Sequence, residues 1–374
     1  MFSSRLCWDV TPNPLSKLLE EKRRNGVRVL DLTESNPTRA GFVYPAEEIL
    51  AAFADPRALR YDPSPRGLES ARDAVVQYYA ARNRPVARSQ ILLTASTSEA
   101  YSYLFKLLAD PGDEILAPRP SYPLFEFLAG LESVKVRQYP LRYDGAWHID
   151  FAALERSIHE KTRAIVVVNP NNPTGSSITG EDFERLETLG IPILSDEVFS
   201  DYADLRAARP HRALTFSMNG LSKIAGLPQM KLGWIVADGP GQQAALDALE
   251  LTADTFLSVA TPVQLALAKL LDVTAGVRAQ IRERTDSNFA RLQAACAGTA
   301  FQVLHRESGW YAIVQVPRTR TEEEWVLMLL GERDTLVQPG FFFDFESEAF
   351  LVVSLLTEPA VFEPGLRQIM LCGG

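Results

Sequence analysis

Seven short apolar runs constrain this chain more than any other feature. They are "ILLT" (91–94), "EILA" (114–117), "VKVRQ" (134–138), "AIVVVN" (164–169), "IPILSD" (191–196), "ALTFSM" (213–218) and "KLGWIVA" (231–237). Helical stretches lie between several of them: Ser98 to Leu108, Tyr122 to Leu131, Phe151 to Ile158 and Glu181 to Leu189. Strands this continuous in Val, Ile and Leu are buried on both faces, and helices must cover them. The alternation predicts an α/β fold: a three-layer αβα large domain around a mostly parallel seven-stranded sheet. Such sheets take ligands at the carboxyl ends of their strands. The residues that follow each run are therefore the candidates for chemistry.

The pattern holds over 46–265 and fails on either side. Residues 1–45 read as an arm with one short charged helix ending at Gly26. From 266 to 374 come a long helix-forming stretch and the short strands "FQVLH", "GWYAIVQV" and "AFLVVSLL". This part, with the arm, predicts a smaller α+β domain. A chain of 374 residues is longer than one core usually serves, which suits two domains.

Composition narrows the function by exclusion. A formal net charge of −9 argues against a nucleic-acid or anionic membrane partner. No window approaches a membrane span, and the first residues lack a signal-peptide core. Cys7, Cys296 and Cys372 are far apart and odd in number, as in a reduced, cytoplasmic protein. His148, His159, His211 and His305 lack metal-ligand spacing, so no metal is expected.

Four loops at predicted strand ends are too polar for a core. "TASTSEA" puts Ser96, Thr97 and Ser98 at a strand-to-helix junction. "NPNNPTG" follows the run at 164–169, "SDEVF" ends a strand on Asp196, and "NGLSK" brings Ser222 and Lys223 after another. Singly, these are also the patterns of a helix cap, two turns and a solvated lysine. At one sheet edge they form a set: an anion site, an amide, a carboxylate and an amine that can form an imine. Pyridoxal 5'-phosphate requires that set. Its phosphate suits a helix N-terminus, its ring nitrogen a carboxylate, and its aldehyde a desolvated lysine.

Five segments in order resemble the class I/II aminotransferase family of fold type I pyridoxal-phosphate enzymes, from about Leu30 to Leu356. They are "RYDPSPRGLESARDAVVQYY", "APRPSYPLFE", "NPNNPTG", "SDEVF" and "LSKIAGLPQMKLGW". The resemblance implies a Schiff base on Lys223, which would also shuttle the proton, and Asp196 paired with the pyridine nitrogen. Asn172 would bond the phenolic oxygen, and Tyr122 would stack on the ring. Ser96, Thr97 and Ser98 would contact phosphate. Tyr61 would reach the phosphate of a neighbouring subunit, which implies a homodimer with shared sites.

Four positions depart from the family pattern. Lys231 stands where the family has an arginine on the phosphate, keeping charge but losing the bidentate fork. Gly220 stands where a hydroxyl is usual, with Ser222 beside the lysine instead. Phe199 replaces the tyrosine of D-E-x-Y, with Tyr202 three residues on as a substitute. Val352 replaces the arginine that clamps the substrate α-carboxylate. Replacement anchors are Asn36 and Arg39 in the N-terminal loop, and Arg318 or Arg320. The aromatic run Phe341 to Phe345 is expected at the substrate pocket or in the core.

The resulting expectation is transfer of an amino group from an amino acid or amine donor to a keto acid or aldehyde. The alternatives on the same scaffold are C–S β-elimination, decarboxylation and racemisation, or a non-catalytic cofactor-binding module.

Overall fold

The computed structural model describes residues 3–6, 8, 10–203 and 211–372; Cys7 lies outside them. In chain order the strands are β1 (Leu30–Asp31), β2 (Ile91–Thr94), β3 (Glu114–Arg119), β4 (Lys135–Tyr143) and β5 (Trp147–Ile149). Next come β6 (Thr162–Val168), β7 (Ile193–Asp196), β8 (Thr215–Gly220) and β9 (Gly233–Asp238). The last are β10 (Gln302–Val303), β11 (Tyr311–Gln315), β12 (Thr335–Leu336), β13 (Gln338–Pro339) and β14 (Phe350–Ser354).

Each of the seven apolar runs contains a strand of one large sheet, in the order β2-β9-β8-β7-β6-β3-β4-β5. Only β9 and β5 run against the others. The sheet has eight strands rather than seven. β5 folds back on β4 with Tyr143 opposite Trp147, and three residues are too few to register as an apolar run.

Alternation of side chains feeds two helical layers. Leu92, Ile115, Val166, Leu194, Met218 and Ile235 pack on one face with Leu104 of helix Thr97–Leu108 and Leu249 of helix Gln242–Phe256. On the other face Leu93 and Trp234 meet helices Glu69–Ala80 and Thr261–Val273, while Ile165 and Ile193 meet Phe151–Ser157 and Gly180–Thr188. Each buried Leu, Ile or Val contributes about 1.5–3 kcal/mol. A one-residue slip would exchange the faces, so the core fixes the register that places the strand ends.

A second sheet, β10-β11-β14-β13, is wholly antiparallel. The N-terminal arm joins this part of the molecule. β1 pairs with β12, and Leu15, Leu18 and Leu19 pack with Leu329 and Leu330. The boundary expected near 265 falls inside helix Thr261–Val273, whose Val263, Ala266, Leu267 and Leu270 belong to the large-sheet core. No helix of the described residues is long and apolar enough to cross a membrane.

Candidate active site

The turn between β8 and β9 places Lys223. β8 is buried throughout and ends at Gly220; a Cβ there would lie 2.9 Å from the Gly233 Cα and from the Leu232 carbonyl. Backbone approach thus explains the missing hydroxyl, since no side chain fits at 220. The chain then makes the short helix Leu221–Ile224, with Ser222 and Lys223 half-buried. Lys223 Nζ lies 4.6 Å from the Trp310 ring centroid and 5.5 Å from that of Phe199. Burial pulls the amine down to about 8, opposed by the Asp196 carboxylate.

Asp196 ends β7, the parallel neighbour of β8. Its Oδ1 accepts from the Val198 N–H at 3.2 Å and its Oδ2 from the Tyr101 hydroxyl at 3.0 Å. Burial pushes this carboxyl up to about 6, against both hydrogen bonds and the nearby lysine. The next residue points to the opposite side. Glu197 accepts from Ser195 at 3.1 Å and Ser217 at 2.8 Å, and it pairs with Arg84. One acid faces the amine while the other is held in an ion pair behind the sheet.

The "NPNNPTG" loop is pinned from two directions. Asn169 Oδ1 accepts the Ile178 N–H at 3.0 Å, and Asn171 Oδ1 accepts the Thr174 hydroxyl at 3.0 Å. The N–H groups of Ser308 and Glu307 donate to the Gly175 carbonyl at 3.0 and 3.2 Å. Gly175 has φ 67°, and a Cβ there would sit 2.2 Å from the Ser308 oxygen. Asn172 is buried in this loop, and among the described residues its Oδ1 has no hydrogen-bond partner. A buried amide oxygen left so costs about 1–3 kcal/mol. An unsatisfied group at this edge fits a bound partner.

Ser96 caps helix Thr97–Leu108, its Oγ accepting the Glu99 N–H at 3.2 Å. The first N–H groups of that helix, with the hydroxyls of Thr97 and the exposed Ser98, are donors of the kind that suit an anion. β2 and β9 bring the lysine turn alongside, since Thr94 pairs with Gly233. Lys231 is exposed, with φ 50° and ψ 57°, two residues before β9 begins. It therefore belongs to a left-handed turn rather than to the strand expected at 231–237. Tyr122 follows β3, is 44% exposed, and lies within the field of Asp196. Tyr61 is 82% exposed in the single chain.

Phe199 is buried, with its ring 5.4 Å from Trp310 in an edge-to-face contact. Tyr202 does not take over from the missing tyrosine. Its hydroxyl donates to the main-chain oxygen of Lys223 at 2.7 Å, fixing the turn rather than facing a ligand.

The second sheet has different chemistry. Val352 is fully buried between Ile313 and Gln338 on neighbouring strands, in a cluster with Leu304 and Phe343. Phe343 is buried, the Phe345 ring meets that of Phe350 at 4.7 Å in a tilted contact, and Phe341 is 47% exposed, so the aromatic run mostly packs. Asn36 Oδ1 caps the turn Pro37–Arg39, accepting from Thr38 N–H at 3.0 Å, and Arg39 is exposed. Arg318 and Arg320 are exposed beyond the far end of β11. A five-residue strand of roughly 16 Å separates them from Trp310 and Lys223, so neither anchors a ligand there.

Sequence reasoning missed Trp310, Tyr101 and Tyr311. Trp310 precedes β11 in "ESGWYAIV" and reads there as core. Tyr101 sits on the buried face of its helix, where phenol and core residue share one periodicity. Tyr311 meets Ser35, Tyr122 and Glu34, and burial raises its phenol to about 12.

The chain matches the family model for aminotransferase class I and II over residues 27–363. It is 32% identical over 280 residues to the glutamate-pyruvate aminotransferase of Escherichia coli strain K12, covering 71% of this chain and 69% of that one. Tyrosine aminotransferase of Mus musculus is 30% identical over 296 residues, covering 71% and 65%. Among solved structures, an aminotransferase from Escherichia coli superposes with a TM-score of 0.85 at 26% identity, covering 99% and 97%. An alanine aminotransferase from Pyrococcus furiosus shares the fold, with a TM-score of 0.86 at 24% identity, covering 100% and 99%. Built on this fold and carrying these motifs in order, the chain belongs to the aminotransferase class I and II family and is an aminotransferase.

Proposed function

We propose that this aminotransferase works with pyridoxal 5'-phosphate held at the edge of β6, β7 and β8, with Lys223 as its covalent anchor. The observation that carries the reading is a desolvated amine within the field of a desolvated carboxylate, at the ends of the adjacent strands β8 and β7. Bound there, the cofactor supplies an electrophilic carbon for the donor amine and an electron sink for its Cα–H bond.

The residues divide the remaining work. Burial brings the Lys223 amine down to about 8, so roughly a tenth of it is neutral at pH 7, far more than for an exposed lysine, and its Nζ can attack and can carry the proton at Cα. Asp196 holds a proton on the ring nitrogen. Asn172 bonds the phenolic oxygen, and Tyr122 stacks on the ring. The helix end at Ser96, Thr97 and Ser98 takes the phosphate, assisted by Ser222 and Lys231. Tyr61, exposed in one chain, serves the neighbouring copy of a cytoplasmic homodimer. The substrates are an amino acid or amine donor and a keto acid or aldehyde acceptor. Asn36 and Arg39 belong to the loop that closes over them, and Phe199 lies beside the lysine.

The test is a donor panel. Loaded protein is mixed with amino acids and amines, and the cofactor spectrum is followed. At least one donor should convert it to the amine form, and a keto acid or aldehyde should reverse the change. Keto acid or sulfide released without conversion would refute the reading.

A further inference from the structure

Tyr101 has a place that the chemistry above does not yet use. It lies in helix Thr97–Leu108, three residues after Ser98, so both share one helix face. Its side chain is 3% exposed. Phe105 lies 5.7 Å from its ring and Phe125 5.4 Å, the latter edge-to-face. With its ring held by that packing, the hydroxyl donates to Asp196 Oδ2 at 3.0 Å. The other oxygen, Oδ1, accepts the Val198 N–H at 3.2 Å.

We propose that Tyr101 is a positioning residue for transamination: its hydroxyl fixes the orientation and the ionised state of the Asp196 carboxylate that pairs with the cofactor ring. The proposal rests on the cofactor reading above. A neutral O–H donor stabilises a carboxylate over the protonated acid, opposing desolvation. Burial raises the phenol well above its ordinary range, and Asp196 adds to this, so Tyr101 remains a donor through neutral pH. The other ionisable groups whose charge acts on or feels Asp196 are Glu197, next in the chain but behind the sheet, Lys223 after β8 and Tyr122 after β3. Glu197 favours the protonated acid and Lys223 the carboxylate.

The arrangement has a mechanical consequence. One helix offers its N-terminus to the phosphate and a side chain of its next turn to the partner of the ring nitrogen. Both ends of the cofactor are thereby referred to a single rigid element, and Phe125 ties in the segment carrying Tyr122.

Tyr101→Phe removes the hydroxyl and keeps the ring. In cofactor-free protein, 13C NMR of the Asp196 carboxyl, assigned with Asp196→Asn, should show its titration midpoint rise by about one pH unit. In a pyridoxal 5'-phosphate titration, Tyr101→Phe should weaken binding by roughly tenfold. With Asp196→Asn already present, it should weaken binding less than about twofold. An unmoved Asp196 midpoint, or equal weakening in both backgrounds, overturns the proposal. The NMR arm needs no cofactor, so it judges Tyr101 even if unmodified protein binds no pyridoxal 5'-phosphate, a result that would instead remove the cofactor reading.

Discussion

Two regions of the molecule follow different rules. At the carboxyl edge of β7 and β8, the Asp196 carboxylate is held by Tyr101 and Val198, Tyr202 holds the backbone of Lys223, and the buried Asn172 amide oxygen has no partner among the described residues. In the second sheet, β11, β13 and β14 form a wall of Ile313, Gln338 and Val352, with Phe343 and Leu304 packed in the same region. The first surface is specified by charge and hydrogen bonding, where replacing one atom leaves a buried group unpaired. The second is specified by packing, where residues of similar volume exchange at small cost. A cofactor edge built the first way resists change. A wall built the second way has room to diverge, and here it holds a buried valine where an arginine is usual in the family.

Substitutions on each side test the contrast. Val352→Arg places a guanidinium in the aromatic cluster. If the wall is set by packing, the unpaired buried charge costs about 3 kcal/mol or more. That lowers the thermal midpoint by roughly 4 °C or more in differential scanning calorimetry. An unchanged midpoint, with tighter binding of donors bearing an α-carboxylate, would show that the wall is open to the cleft and break the comparison.

The smaller effect belongs to the polar edge. Phe199 is 5.5 Å from Lys223 Nζ by its ring centre, and its edge meets Trp310. Phe199→Tyr adds a donor beside the bound ring. Stabilising the deprotonated linkage by about 1.5 kcal/mol lowers the pH of the visible spectral transition by about one unit. A spectral titration that superposes on that of the unmodified protein would place position 199 with the packing wall instead.

The same contrast decides what the sequence made legible. The apolar runs foretold seven strands because buried parallel strands leave continuous Val, Ile and Leu. β5, at three residues, left no such trace. Lys223, Asp196 and Asn172 stood out because polar residues after an apolar strand have little structural reason to be there. Trp310 and Tyr101 did not, since a buried aromatic at core spacing gives the same signal whether it packs or touches a functional group. Lys231 reads as a strand residue, yet its left-handed backbone puts it in a turn. Arg318 and Arg320 lay within reach in the sequence, and the direction of β11 carries them away from the cleft.

Reduction of the cofactor-loaded protein with borohydride, followed by peptide mapping, tests the central claim most directly. The account predicts one phosphopyridoxyl group, on the peptide carrying Lys223, and none on Lys223→Ala. A label on Lys231 or another lysine, or equal labelling of Lys223→Ala, would contradict it.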